Sequence, residues 1–206
     1  MEVNNKDHWY YGLFYDKFIA PHQDASFNLL NDMIEDNSTL LDAGCGTGRL
    51  AFRLADKCQK IVGVDLSERN ISVAKTNMLK SSFQNIEFYH SDINKFNVKP
   101  DTLFDYAVIS YALHEMAERD REVTLNSLSR MAREVIIIDY LIPQPSIPMK
   151  ILNEAVEFLA GWEHYRNYKS FLRHNGIEGL AKSYGMKITR EIKNAPLTSH
   201  IALLSR

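Results

Sequence analysis

The stretch that decides the fold runs from Leu40 to Leu50 and reads Leu-Leu-Asp-Ala-Gly-Cys-Gly-Thr-Gly-Arg-Leu. A short apolar run leads into three alternating glycines, and a helical pattern follows them. Such glycines permit a tight turn and let a ligand approach the backbone N–H groups at the helix start. The spacing is G-x-G-x-G, which differs from the G-x-G-x-x-G of dinucleotide-binding proteins, and no G-K-S/T follows as in a P-loop. The stretch therefore predicts a strand, a ligand-binding turn and a helix.

Short apolar runs alternate with longer helical patterns along most of the chain. Seven strands are predicted, at Thr39–Ala43, Ile61–Asp65, Ile86–His90, Phe104–Ser110, Val135–Leu141, Met186–Ile192 and Ser199–Leu204. Helices are predicted at Arg49–Lys57, Glu68–Lys80 and Glu118–Arg133, and Ser67 can cap the second of them. The first five strands read as continuous runs rich in β-forming residues, such as IVGVD and VIIIDY, which is typical of strands buried on both faces. The alternation predicts an α/β fold: a Rossmann-like, doubly wound, mostly parallel sheet with helices on both faces.

Two stretches do not fit the alternation. Residues 8–35 precede the first strand and have a helical pattern, and residues 143–184 separate the fifth strand from the last two. Prolines 143, 145 and 148 open the second stretch and predict an end to the strand and a delayed helix. Open α/β sheets bind ligands at the carboxyl ends of their strands. We therefore expect one domain over residues 1–206, with an N-terminal helical cap and a helical insert over the site.

Polar side chains follow three of the predicted strands at the point where each strand ends. Asp65 ends the second strand, 17 residues after Gly48, where a carboxylate can accept hydrogen bonds from both hydroxyls of a ribose. Asp92 follows the third strand and can accept from an exocyclic purine amine, with Ile93 against the ring. Ser110 and Tyr111 follow in the same way from the fourth strand. The order of these groups predicts a nucleoside-containing ligand.

The arrangement resembles the class I S-adenosylmethionine-dependent methyltransferases. LLDAGCGTG is similar to the first motif of that family, VGVDLS to the second, HSDI to the third and FDYAVISYALHEM to the fourth-strand motif. The resemblance implies a seven-stranded sheet of order 3-2-1-4-5-7-6 with the last strand antiparallel. It also implies S-adenosylmethionine (SAM) as methyl donor and S-adenosylhomocysteine (SAH) as product.

The resemblance carries cofactor-binding roles onto matching positions of this sequence. The glycines would lie beside the methionine part of the cofactor, the second-strand carboxylate would hold the ribose, and the third-strand pair would hold the adenine. Tyr15 can offer its hydroxyl to the cofactor carboxylate and its ring to the sulfonium. The full set implied is Tyr15, Asp42, Gly44, Cys45, Gly46, Gly48, Asp65, Leu66, Asp92, Ile93, Ser110 and Tyr111.

Two features of the sequence indicate which class of methyl acceptor the protein uses. The residues Ser-Tyr-Ala-Leu after the fourth strand differ from the Asn/Asp-Pro-Pro-Tyr/Phe typical of methylases that modify nucleic-acid amino groups. Residues 160–186, AGWEHYRNYKSFLRHNGIEGLAKSYGM, are similar in layout to the tail of the ubiquinone/menaquinone-biosynthesis C-methyltransferases. The resemblance implies a small-molecule acceptor and points toward an aromatic or quinol-like one.

Three residues are candidate catalytic groups. His114 follows the fourth strand and has the pKa class of a general base near neutral pH, although a helix-start histidine bonded to backbone is the alternative. His164 and Tyr168 lie on one predicted helical face with Phe171, where they line either an acceptor pocket or the core. Cys45 is better explained as a small side chain packed under the glycine turn than as a nucleophile.

Composition excludes several function classes. The chain is 45% hydrophobic and 24% charged, which predicts a folded domain. Its net charge of −2 argues against a domain that binds mainly the nucleic-acid backbone. No apolar run approaches the roughly 18 residues of a membrane span, and the N-terminus lacks the pattern of a signal peptide. Two cysteines make neither a disulfide framework nor a zinc site, so we expect no metal and a cytoplasmic protein.

Two alternative functions share much of this pattern. A nicotinamide-dependent oxidoreductase would also use Asp65 and a glycine turn, but the glycine spacing and Asp92 argue against it. A module that binds SAM or SAH without turnover would look identical in sequence, because methyl transfer needs no invariant catalytic residue. The sequence leaves the acceptor molecule, the acceptor atom and the oligomeric state open.

Overall fold

The computed structural model describes residues 20–97, 103–194 and 198–205. Seven strands form one sheet in the order β3-β2-β1-β4-β5-β7-β6. Neighbouring strands pair in parallel from β3 to β5, and β7 is antiparallel to both β5 and β6. The predicted strand order and the antiparallel last strand are confirmed. The strands are β1 Thr39–Ala43, β2 Lys60–Asp65, β3 Ile86–His90, β4 Phe104–Ser110, β5 Ala132–Tyr140, β6 Lys187–Asn194 and β7 Ser199–Ser205.

Helices cover both faces of the sheet. They are α1 Ala20–Asn31, α2 Arg49–Leu54, α3 Glu68–Lys80, α4 Glu118–Met131, α5 Ile147–Ala160, α6 Trp162–Arg173 and α7 Gly176–Ser183, with a 3-10 helix at Leu113–Glu115. Ser67 caps α3 as predicted, because its hydroxyl accepts a hydrogen bond from Asn70 N. No helix among the described residues is long and apolar enough to cross a membrane.

Two apolar cores lie on opposite faces of the sheet, because alternate residues of each strand point to opposite sides. Leu40 and Val108 join the core beneath α1, α2 and α3. Their neighbours Leu41 and Ile109 join the core beneath α4, α6 and α7. Burying each such side chain stabilises the fold by about 1.5–3 kcal/mol. The two cores fix the sheet rigidly and leave its carboxyl edge to carry polar groups.

One burial prediction is wrong. The third strand was expected to be buried on both faces, but Glu87, Tyr89 and His90 of β3 are exposed. The reason is position, since β3 is the edge strand and has only β2 as a neighbour. Ile86 and Phe88 point inward and fill the core.

Two predicted helix ends are also wrong. The third predicted helix was expected to reach Arg133, but α4 ends at Met131 and β5 begins at once, because its register with β4 extends back to Ala132 opposite Phe104. The first predicted helix was expected to reach Lys57, but α2 ends at Leu54. There the carbonyl of Leu54 accepts hydrogen bonds from both Lys57 N and Cys58 N, which closes a turn.

The insert between β5 and β6 folds into helices, as its sequence pattern predicts. In its first helix, α5, polar side chains are buried and large apolar side chains are exposed, the reverse of the usual distribution. The buried residues of α5 are Asn153 and Glu157, and the apolar residues Ile151, Leu152 and Phe158 are exposed. Of the predicted N-terminal helical stretch 8–35, residues 20–31 form α1, and residues 8–19 lie outside the described part of the chain.

Candidate active site

The glycine turn between β1 and α2 is held from below by the end of β2. Gly44 N and Cys45 N both donate to Val64 O, at 2.8 and 3.1 Å. Gly48 has a φ of 86°, and a Cβ built there would lie 2.6 Å from the ring of Phe88. Both the left-handed backbone and the close aromatic ring require glycine at this position. Gly44 and Gly46 also have positive φ, and Gly46 faces open space.

Asp65 lies beside this turn at the end of β2. Its Oδ2 accepts a hydrogen bond from Gly46 N at 2.8 Å, and its Oδ1 accepts from Ser67 N at 2.8 Å. These two donors fix the plane of a half-buried carboxylate. Each carboxylate oxygen has a further lone pair, so two ligand hydroxyls can still donate to it. Leu66, the next residue, is exposed at the same edge.

Asp42 lies under the turn and is fully buried. Neither of its carboxyl oxygens has a hydrogen-bond partner among the described residues. Burial, with a smaller contribution from the charge of Asp65, raises the pKa of Asp42 to about 8. A buried carboxyl without a partner is costly unless it is protonated or pairs with a cation. The turn thus suits a ligand that carries hydroxyls and a cationic group.

The residues predicted after β3 and β4 lie at the same carboxyl edge of the sheet. Asp92 is half-buried, and its Oδ1 accepts from Asn94 N at 2.9 Å, while Ile93 packs against the second core. Ser110 ends β4 and pairs with Ile138. Tyr111 follows with a φ of 51°, and its hydroxyl lies 2.7 Å from Ser26 Oγ of α1. This contact ties α1 to the end of β4.

Cys45 is buried in the turn, and its Sγ would lie 2.9 Å from a Cβ built on Gly63. Burial raises the pKa of the Cys45 thiol far above its usual range, so the thiol is neutral at physiological pH. This environment agrees with the packing role predicted for it. Tyr15, the other predicted cofactor contact, lies outside the described residues.

His114 is buried in a cluster of carboxylates. Its Nδ1 lies 2.7 Å from Asp139 Oδ1, and its Nε2 lies 3.4 Å from Glu157 Oε1. Burial alone would lower the pKa of His114, but these two carboxylates outweigh it and raise the pKa well above the usual value. The ring is therefore an imidazolium at neutral pH, with both nitrogens engaged. Since an imidazolium has no lone pair for a proton, the general-base interpretation of His114 does not fit this geometry.

The other two candidate catalytic residues lie on α6 in different environments. Tyr168 is fully buried, packs against the rings of Tyr140 and His114, and accepts a hydrogen bond from Gln144 Nε2 at 3.3 Å. That setting matches the core-packing alternative. The side chain of His164 is 18% exposed, and its Nδ1 lies 3.9 Å from an oxygen of Glu115.

Glu115, Arg121 and Asn167 are site residues that the sequence reading missed. Arg121 is fully buried, and it donates to Leu113 O at 2.9 Å and to Asn167 O at 2.7 Å. Asn167 Nδ2 in turn donates to Glu115 O at 2.7 Å. The His-Glu pair after β4 was a signal for Glu115. The charged residues around Arg121 predict a solvated helix face. Only the fold shows that the Arg121 side chain is buried and joins α4, the 3-10 helix and α6.

Comparison with known proteins decides the family. Residues 34–175 match the model of a methyltransferase domain, Methyltransf_31. The chain belongs to this methyltransferase family. It is a SAM-dependent methyltransferase, with SAM as cofactor. Within residues 20–97, 103–194 and 198–205 no group of three or more histidine, cysteine or acidic side chains is arranged to hold a metal ion.

Relatives and solved structures extend the likeness over most of the chain. An uncharacterized methyltransferase of Schizosaccharomyces pombe is 28% identical over 148 residues, which cover 70% of this chain and 93% of the relative. The PH0226 protein from Pyrococcus horikoshii has a TM-score of 0.69 at 17% identity and covers 100% and 93% of the two chains. The magnesium protoporphyrin IX methyltransferase from Synechocystis with bound SAM has a TM-score of 0.67 at 16% identity, covering 97% and 90%. At these identities the solved structures support the fold.

Proposed function

We propose that this methyltransferase acts on a small molecule bound at the carboxyl edge of the sheet, between the 3-10 helix and α6. The observation that carries the proposal is the direct packing of the insert beside the end of β4. Asn167 of α6 holds the carbonyl of Glu115, and buried Arg121 joins the same two elements. An insert fixed there would cover an acceptor at this edge, which suits a small acceptor better than a folded macromolecule.

The cofactor half of the proposal assigns SAM to the glycine turn. Asp65, already oriented by Gly46 N and Ser67 N, would accept from the ribose hydroxyls. Asp42 would supply the partner for the cationic amino group, since its carboxyl is buried beneath the turn without one. Leu66, Asp92 and Ile93 would flank the adenine. The remaining proposed contacts are Tyr15, Gly44, Cys45, Gly48, Ser110 and Tyr111. SAM supplies an activated methyl group, and the protein supplies alignment, which is worth several kcal/mol of the barrier.

The proposed caps complete this arrangement. Residues 143–184 would cover the acceptor, and residues 8–35 would cover the cofactor. Tyr111 supports the second assignment, because its hydroxyl meets Ser26, and Ser26 donates to Ser199 Oγ at the start of β7. α1 is thereby fastened to the edge where the ligands would enter.

The class of acceptor is open to a direct test. Partial matches include a protein of Clostridium acetobutylicum named as an RNA methyltransferase, 32% identical over 95 residues. The protein would be incubated with methyl-labelled SAM and, separately, a small-molecule extract, total RNA or DNA. We expect label in the small-molecule fraction. Label that enters only RNA or DNA would contradict the proposal, and SAH binding without transfer to any fraction would favour a module that binds without turnover.

A further inference from the structure

The outer side of α5 concentrates exposed apolar side chains. Among the described residues twelve large apolar side chains are exposed, and six of them lie within residues 147–162. Their exposures run from 50 to 74%, and they are Ile147, Ile151, Leu152, Phe158, Leu159 and Trp162. Together with the exposed Ala155 among them, these residues are called the α5 face. Monomeric proteins rarely leave so large an apolar surface in water, so the α5 face is suited to a partner.

The α5 face is continuous from α5 into the start of α6. The rings of Phe158 and Trp162 both lie against Tyr165, with centroid distances of 5.7 and 6.2 Å. On the opposite side of the helix, Asn153 and Glu157 are buried and hydrogen-bonded to the body of the protein. Turning the apolar side inward would break those hydrogen bonds. The α5 face therefore stays outward, where a partner can cover it.

The order of residues along the α5 face is symmetric about Ala155. Leu152 and Phe158 lie three residues to either side of it, and Ile151 and Leu159 lie four residues to either side. Residues three and four apart share one side of a helix. An antiparallel copy of the same helix, crossed at Ala155, therefore presents the same pattern and turns Ile151 of each copy toward Leu159 of the other. An interface with two-fold symmetry requires this self-complementarity.

The shape of the α5 face also fits helix packing. Ile147, Ile151, Ala155 and Leu159 are spaced four residues apart. Rows of this spacing form the ridges that most often interdigitate when two helices pack. The small side chain of Ala155 at the crossing point lets the two backbones approach closely. Pairing the α5 face with its copy would bury on the order of 1,200 Å² in total, which reaches the size of specific protein–protein interfaces.

The charges around the α5 face favour a second copy over a lipid surface. Lys150, Lys169 and Arg166 are accompanied by Glu154 and Glu163, and Glu154 pairs with Lys169 at 2.9 Å. A helix that lies on an anionic membrane carries mainly Lys and Arg beside its apolar side. Charges of both signs instead suit the polar rim of a protein–protein interface.

We propose that the α5 face is a homodimer interface, in which α5 of one copy packs antiparallel across α5 of the other about a two-fold axis at Ala155. The dimer covers the apolar side of a helix whose inner side reaches His114 through Glu157. Dilution returns the monomer with the α5 face exposed, so unfolding measured on dilute protein is that of the single chain. The inference is independent of the acceptor that the enzyme uses.

The first test is the oligomeric state of the full chain, measured by sedimentation velocity at about 1 and about 200 µM protein. We expect the wild type to change from monomer to dimer over this range. Leu159→Lys places a charge within the α5 face and should remain monomeric, because the dimer would bury that charge without a partner. Leu79→Lys makes the same change at an exposed leucine of α3 outside the α5 face, and it should dimerise like the wild type. Thermal melting of the dilute proteins checks that both variants fold.

Two results of this measurement would overturn the inference. One is dimerisation of Leu159→Lys to the same extent as Leu79→Lys, which would place the interface elsewhere. The other is a wild type that stays monomeric at both concentrations. If that monomer sediments with vesicles containing phosphatidylserine and Leu159→Lys does not, the α5 face belongs to a membrane surface instead.

A disulfide tests the position of the axis. Cys45 and Cys58 are buried, so a cysteine introduced at an exposed position provides the accessible thiol. The two copies of Ala155 would face each other across the axis, whereas exposed Thr76 of α3 lies outside the α5 face. With oxidised glutathione as oxidant, Ala155→Cys should give a covalent dimer on a non-reducing gel, and Thr76→Cys at least about tenfold less. Equal yields, or no covalent dimer from Ala155→Cys, would overturn the two-fold arrangement.

Discussion

At the scale of single residues, the site depends on backbone geometry as much as on side-chain chemistry. The G-x-G-x-G turn places Gly46 N against Asp65, and that contact orients the carboxylate for a ligand. Gly48 has a structural role, because the absence of a Cβ there leaves room for the ring of Phe88 in the core. The two glycines should therefore respond differently to the same substitution.

Gly48→Ala is expected to destabilise the fold by about 2–4 kcal/mol, since it combines a left-handed backbone with a ring 2.6 Å from the new methyl group. Gly46→Ala has a φ of 53° and no atom within 4 Å of the added Cβ, so it should cost about 1–2 kcal/mol. Urea denaturation of both variants measures the difference. Equal losses of stability would show that the contact with Phe88 does not constrain the turn.

At the scale of elements, α5 is the helix whose packing departs most from its hydrophobic pattern. Its buried side chains are polar, and Asn153 donates to Gln144 and Thr198 while Glu157 joins the His114 cluster. Its apolar side chains, including Ile151 and Phe158, are exposed. The buried face of α5 is therefore held by hydrogen bonds and charge.

In α5, a substitution at a buried polar residue should therefore destabilise the fold more than a substitution at an exposed apolar residue. Glu157→Ala removes a partner from both His114 and Tyr140, and breaking such a buried pair costs about 3–5 kcal/mol. Ile151→Ser on the exposed face should change stability by no more than about 0.5 kcal/mol. Free energies of unfolding from urea titrations test this order. A larger loss from Ile151→Ser would mean that the apolar face is covered.

The elements also show which features sequence alone can predict. Strand order and the glycine turn follow from local patterns, since Thr39–Ala43 and Ile61–Asp65 carry their own apolar runs and ligand groups. The exposure of β3 depends on its place at the edge of the sheet, and the polar residues Glu87 and His90 beside buried Ile86 and Phe88 were the signal for it in the sequence. Glu115, Asp139 and Glu157 come together from three distant stretches, so no spacing rule could have identified the cluster.

At the scale of the whole molecule, several ionisable groups hold protons more tightly in the folded state. Folding raises the pKa of Asp42 to about 8 and that of Glu115 to about 7, and it raises the pKa of His114 above its usual 6.5. The stabilisation that the His114 proton provides is fully present below pH 6.5. For each of the three groups, the stabilisation is lost as the pH rises through the pKa of that group in the folded protein. The depressed pKa of Glu157 acts oppositely, and its contribution is lost only in acid.

The unliganded protein should therefore be less stable at pH 9 than at pH 6.5. Asp42→Asn keeps a neutral side chain at every pH, so this variant should lose less stability over the same interval. Melting temperatures at constant ionic strength from pH 6.5 to 9 measure both effects. A wild-type melting temperature that rises over this interval would contradict the assignment of bound protons.

The most direct test of the central claim, a SAM site built by the glycine turn and Asp65, is a calorimetric titration with SAH. SAH and NAD would be titrated into the wild type, into Asp65→Ala and into Asp56→Ala, which removes an exposed carboxylate elsewhere. We expect SAH to bind the wild type and Asp56→Ala with equal affinity, and NAD not to bind. SAH should bind folded Asp65→Ala roughly tenfold or more weakly, because two charge-assisted hydrogen bonds are lost. Equal SAH affinity in Asp65→Ala, or no SAH binding by the wild type, would contradict it.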